Sequence, residues 1–84
     1  MEKEILKEFD HEGYHCIVEK EGRVLSGYIT PSPFQAKRMI CCMCNVPKDE
    51  ADLPKRIELC EKAIEKTIEL VRKYLKEKRA DNDS

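Results

Sequence analysis

The sequence has little of what usually betrays a chemistry. It holds no tryptophan, two phenylalanines, three tyrosines and three glycines in 84 residues, so aromatic platforms for stacking bases are scarce. Sixteen Lys and Arg against seventeen Asp and Glu leave a formal charge of -1, which supplies no field to hold a phosphate backbone. Both absences argue against a nucleic-acid partner. No apolar run approaches the roughly 18 residues a membrane span needs, and the opening MEKEILKEFD lacks the apolar core of a signal peptide. The expectation is a cytoplasmic chain with no membrane partner. The spacings GxxxxGK, GxGxxG and HExxH are all missing, and His11 and His15 have no triad-like context of Ser or Asp. An enzyme is therefore the minor reading, and no cofactor is expected.

What is present amounts to one small domain. A chain of 84 residues buries only about 60% of the surface its unfolded form exposes, so its core is marginal alone and association is an early expectation. No repeat, low-complexity stretch or Gly/Ser linker divides it. Residues 1–79 read as a single α+β domain and residues 80–84 as a disordered tail.

The first third alternates with period two, which predicts strands. Residues 14–20 and 23–30 flank Glu21-Gly22, whose glycine suits the positive φ of a tight hairpin turn. A two-residue loop there sets Val18 opposite Leu25, Cys16 opposite Gly27 and Tyr14 opposite Ile29 on a core-facing side. The other side carries His15, Ile17, Val24, Ser26 and Tyr28, too apolar for a plainly solvated face. Something is expected to cover it. Residues 4–9 supply either the first strand of a three-stranded meander or a short helix built on Ile5, Leu6 and Phe9.

After Thr30, Ser32 as N-cap, Pro33 at the first helical position and Gln35 as capping-box partner predict a short helix. It runs through Ala36, Met39, Ile40 and Met43 and stops before Pro47. Residues 47–54 then form a turn or short helical step, with Asp52 placed to cap a last helix over residues 55–78. Ile57, Cys60, Ile64, Ile68, Val71 and Leu75 make its apolar stripe, widened by Ala63, Thr67, Leu70 and Tyr74, while Glu58 with Lys62 and Glu69 with Lys73 support it at i,i+4. Such a helix is about 36 Å long, against a radius of gyration near 12 Å for a globule of this size. It is expected to overhang its own core and to give Ile57, Ile64, Val71 and Tyr74 to a homo-oligomer interface.

Two clusters carry candidate chemistry. Five cysteines, an odd number, fit reduced thiols better than a disulfide framework. Cys41 and Cys44 have a CxxC spacing that Cys60 and His15 could complete as a zinc shell, but no second ligand pair at matching spacing supports it. A metal is not expected, and a thiol or zinc module is the alternative reading. The second cluster is Tyr28, Thr30, Ser32, Phe34, Gln35, Lys37 and Arg38. There the amides at the start of the predicted short helix would hold an anion, Lys37 or Arg38 would close on it, and Tyr28 or Phe34 would stack on a planar ligand.

The stretch Gly13-Tyr14-His15-Cys16-Ile17-Val18 followed by Gly22-Arg23-Val24-Leu25-Ser26-Gly27-Tyr28-Ile29 resembles the opening of small uncharacterised proteins of phages and mobile elements. Their pattern is roughly G-Y-x-C-x-V, then G-x-L-x-G-Y-V. The His-Pro and His-Gly-Gly segments that usually follow in that group are replaced here by Ser32-Pro33-Phe34 and the cysteine-bearing segment. The resemblance implies a phage-type protein, a class that often works by neutralising a host factor or signal. The expected function is non-enzymatic binding, as a homo-oligomer, of a host defence protein or a small anionic, nucleotide-like signal.

Overall fold

A computed structural model of the chain describes residues 2–30 and 37–82. Four strands follow in chain order: β1 (Lys3–His11), β2 (Tyr14–Glu21), β3 (Val24–Thr30) and β4 (Met39–Asn45). A single 3-10 turn at Glu50–Asp52 leads into one helix, α1 (Leu53–Asn82). The strands form an antiparallel meander in the order β1-β2-β3-β4, and α1 lies across one of its faces. The α+β class expected from the sequence is the one that forms.

Glycine placement fixes both hairpin loops. Glu12 and Gly13 have φ of 52° and 86°, the two positive values a type I′ loop needs. In the second hairpin Glu21 pairs with Val24, so the loop is Gly22-Arg23 and only Gly22, at φ 61°, is left-handed. A loop at Glu21-Gly22 is one residue out of place, because the positive φ belongs at the first loop position and Glu21 there would be strained. The true register pairs Val18 with Gly27 and Cys16 with Ile29. It differs from the expected one by two residues, so each side chain keeps its face.

The short helix predicted through Met39, Ile40 and Met43 does not form over residues 39–45, which are strand β4. Two physical causes combine. Met39–Cys44 holds three Cys and one Ile beside two Met, poorer in strong helix formers than α1, and the unpaired edge of β3 offers a full ladder of backbone partners. Cys42 pairs with Gly27 and Ile40 with Tyr28, which leaves Cys41 as the extra residue of a bulge. The helix-like spacing of Met39, Ile40 and Met43 is thus that of a strand interrupted by one bulge. The capping residues Ser32, Pro33 and Gln35 lie outside the described residues. At the other end of β4, the Val46 amide donates to the Arg23 carbonyl at 2.8 Å and extends the pairing.

The core lies between α1 and the inner sheet face. Cys16, Val18, Leu25 and Ile29 from the strands and Cys60, Ile64, Ile68 and Val71 from α1 are buried there, with Phe9, Met39, Cys41, Cys42, Cys44 and Ile57 packed around them. Of the residues assigned to an oligomer interface, Ile64 and Val71 are consumed by this core and Ile57 is half-buried. Only Tyr74 of that set stands well out in solvent. Cap contacts also differ from expectation, since Asp49 rather than Asp52 accepts from a backbone amide, that of Ala51 at 3.0 Å. The 30 residues of α1 span about 45 Å, reaching Asn82 within the segment expected to be disordered. Residues 72–79 are all exposed, so the helix does overhang, and the molecule measures 53 × 23 × 18 Å.

One position sets the distance between layers. A Cβ on Gly27 would stand 2.6 Å from Cys42 Sγ and 2.9 Å from Ile64 Cδ1, closer than packed atoms allow. Gly27→Ala is expected to lower unfolding stability by about 1–3 kcal/mol, the usual cost of overpacking a core. Because the crowding shares the Cys42 thiol, adding Cys42→Ala should recover part of that loss in a urea melt. Simple additivity of the two changes would count against this account.

Candidate functional site

The face opposite α1 has no layer over it among the described residues. Pairing across the strands sorts its side chains into rows, three of which cross all four strands, while a fourth, Asp10, His15 and Thr30, crosses β1 to β3. Lys3, Glu21, Val24 and Asn45 form one; Ile5, Glu19, Ser26 and Met43 the next; Glu8, Ile17, Tyr28 and Ile40 the third. Ile5, Ile40 and Met43 are 53%, 50% and 62% exposed. Glu19, in the midst of them, is only 6% exposed.

A buried carboxylate is costly unless it is paired and hydrogen-bonded, and Glu19 has both kinds of partner. The Tyr28 hydroxyl donates to Glu19 Oε2 at 3.0 Å. Arg38 brings a guanidinium nitrogen 3.9 Å from Glu19 Oε1 and lies over the Tyr28 ring, 4.5 Å from its centroid. Burial pushes the Tyr28 phenol above its ordinary value, and the Glu19 carboxylate beside it adds to the shift. Tyr28 is therefore held as a donor. Beside this trio lies a shallow cleft of about 340 Å³ lined by Glu19, Val24, Ser26, Arg38, Ile40 and Met43 among others. Sequence reasoning missed Glu19, although a carboxylate among Ile17, Val24 and Tyr28 on one strand face was a readable signal.

Of the expected anion site, Tyr28 and Arg38 come together, and Thr30 Oγ1 donates to the Lys37 carbonyl at 3.2 Å. Ser32, Phe34 and Gln35 lie outside the described residues. Arg38 is not a waiting cation, since Glu19 and the Tyr28 ring already engage it. Near the same end, His15 Nδ1 is 2.9 Å from Asp10 Oδ1 and its Nε2 is 3.7 Å from Glu8. Such an arrangement orients an imidazole, yet the neighbouring thiol, Cys16, points to the other face. His11 Nε2 is shut off from solvent with no hydrogen-bond partner among the described residues.

All five cysteines are free and face the helix side. The Cys42 thiol points at the Cys60 carbonyl, 3.9 Å away. Cys41 and Cys60 are within the core cluster, but His15, the fourth ligand of the zinc alternative, stands on the opposite face of the sheet. No three metal-ligating side chains converge among the described residues. Burial pushes the Cys60 thiol up to about 12 and the Cys41 thiol up to about 11, and raises Cys16 and Cys42 as well. These are protonated packing groups at neutral pH, the reverse of an activated nucleophile.

Comparison with family models, curated proteins and solved structures finds no match to this chain. No helix among the described residues is long and apolar enough to cross a membrane.

The thiols predict a pH dependence with a definite sign. Their protons are held more tightly folded than unfolded, so their contribution is complete below the ordinary value of 9.0 and is lost as pH rises toward about 11 and 12. Urea melts should show stability falling above pH 9 in wild type, with a shallower fall in Cys60→Ala. In the folded protein at pH 8, Cys16 and Cys60 should react with a thiol reagent only as fast as the chain opens. Prompt modification of all five would restore the thiol-module reading. Tyr28→Phe leaves one Glu19 oxygen without its donor and should cost about 1–3 kcal/mol in the same melts.

Proposed function

We propose that this chain is a non-enzymatic binding protein that works as a homo-oligomer and neutralises a protein by occupying its surface. The observation that carries this reading is that apolar surface is left on two separate sides of the molecule. One is the outer sheet face. The other is a second stripe on α1, where Leu59 and Leu70 are 58% and 59% exposed and Tyr74 is 50% exposed. Leu59, Ala63, Leu70 and Tyr74 fall within one sector of the helix, about 100° round from the core stripe. Two such surfaces on one small chain suit two contacts, one with itself and one with a partner.

Within the binding class, a protein is the better supported partner than a small anion. Arg38 is committed to Glu19, and the outer face adds Glu8, Asp10 and Glu21. On α1 the helical angles of Lys55, Lys62, Lys66 and Lys73 set them along one side of the Leu59–Tyr74 stripe, all exposed, with Lys62 paired to Glu58 at 3.5 Å. That pattern suits an apolar groove edged with carboxylates. The hairpin's resemblance to phage and mobile-element proteins supports a host protein in that role. Protonated thiols and a Tyr28 hydroxyl held by Glu19 support binding over catalysis.

A photoreactive benzophenone side chain placed at Leu70 tests the reading in cells. The expected product is a covalent adduct with one other protein, diminished several-fold by Lys66→Glu with Lys73→Glu. Absence of any adduct from Leu70 sinks the proposal.

A further inference from the structure

We propose that the outer sheet face is the contact between two copies of this chain, stacked face to face about a two-fold axis parallel to the strands. The inference deepens the binding reading above, on which it rests, by assigning one of the two surfaces to self-association and leaving the α1 stripe for the partner.

The rows of the face carry the argument. Such an axis keeps each row at its own level and reverses its order, so β1 of one copy lies over β4 of the other. In the row Ile5, Glu19, Ser26, Met43, Ile5 then meets Met43 of the second copy and Glu19 meets Ser26. The most exposed apolar side chain of β1 thereby covers that of β4. In the row Glu8, Ile17, Tyr28, Ile40, Ile17 meets Tyr28 and Glu8 comes over Ile40. There Glu8 reaches toward the Arg38 guanidinium of the second copy, which lies on its own Tyr28 ring. In the last row Lys3 meets Asn45 and Glu21 meets Val24. No row sets like charges directly opposite each other; Glu19 and its mate in the second copy lie diagonally across the axis, each covered by its own Tyr28 and Arg38. Glu19 already has both its partners within its own chain, so closing the face does not strand that carboxylate, and Glu21, at the end of the face, keeps Lys3 as its cross-strand neighbour.

Area sets the scale of the contact. Four strands about 4.8 Å apart and seven to nine residues long at about 3.3 Å per residue present roughly 480 Å² per copy. Two such faces give about 960 Å² of flat area before side-chain relief is counted, close to the roughly 1,000 Å² at which a specific interface is expected and in the range of weak, reversible dimers.

Sedimentation equilibrium of the full chain over a concentration series tests the proposal, and the mass expected is that of two chains. Ile5→Lys alone, or Met43→Glu alone, should raise the dimer dissociation constant at least about tenfold, with helix content by circular dichroism unchanged. The two together should restore it to within about threefold of wild type. Ile5 and Met43 lie on opposite edges of one sheet, about 14 Å apart, so only a second copy can bring them together and produce that rescue. A single-chain mass at all concentrations overturns the proposal, as does a dimer that neither single change weakens or that the pair fails to rescue. Such a failure leaves the Leu70 adduct untouched, and absence of that adduct leaves the dimer untouched.

Discussion

The close approach of α1 to the sheet at Gly27 is the constraint on which the rest of the molecule depends. With no side chain there, Ile64 settles onto the backbone of β3 and the Cys42 thiol fills the space beside it. That seat fixes the height of the helix, and with it the burial of Cys60 one turn earlier and of Ile68 one turn later. A chain of this length has one helix to give. Seating it tightly on the inner face encloses a core of small and branched side chains, and leaves the outer face to be dealt with by other means.

Glu19 shows what those means are. A carboxylate in mid-strand on an open face would ordinarily be exposed and indifferent to its neighbours. Here it is folded down among Tyr28 and Arg38, which cover it on its hydroxyl and cationic sides. Arg38 gains the Tyr28 ring as a second support, so each member of the trio restricts the other two. The result is a face whose polar centre is satisfied internally and whose apolar residues stand around it. This is the arrangement a surface needs if it is to lose its water without leaving a charge unpaired.

How much of this was legible in the sequence varied by element. The hairpin faces followed from period-two alternation and survived a loop displaced by one residue, because the register moved by two. The long helix followed from a stripe sustained from Ile57 to Leu75, and its overhang from simple length. Strand β4 was not legible. Its bulge at Cys41 shifts the alternation by one residue, so Met39, Ile40 and Met43 acquire a spacing that also belongs to a helix. The capping signal at Ser32 and Gln35 strengthened that error, and only the open edge of β3, a tertiary fact, decides against it. Tyr28 and Arg38 were named as site residues on the assumption of a helix start between them. They do meet, Tyr28 from β3 and Arg38 from just before β4, around Glu19, which the local pattern did not bring forward. Ile64 and Val71 carry the core instead of an interface because the stripe they share is the one that faces the sheet, while Leu59 and Leu70 stand exposed on another side of the helix.

The sheet edges give direction to any association. Edge strands invite edge-to-edge growth unless something blunts them. β1 carries Lys3, Glu4, Lys7, Glu8 and Asp10 within its nine residues and is bulged between Ile5 and Lys7; Lys7 is tied to Glu61 of α1. β4 is bulged at Cys41 and is followed by Pro47. Both edges are thus poor templates for another strand, while among the described residues the outer face is left with exposed Ile5, Ile40 and Met43 around the Glu19 trio. In the face-to-face dimer we propose, both edges stay outside the contact and each copy uses its one open sheet face. Such a proposed pairing is closed, because edges of this kind do not template the strand-by-strand growth of a filament.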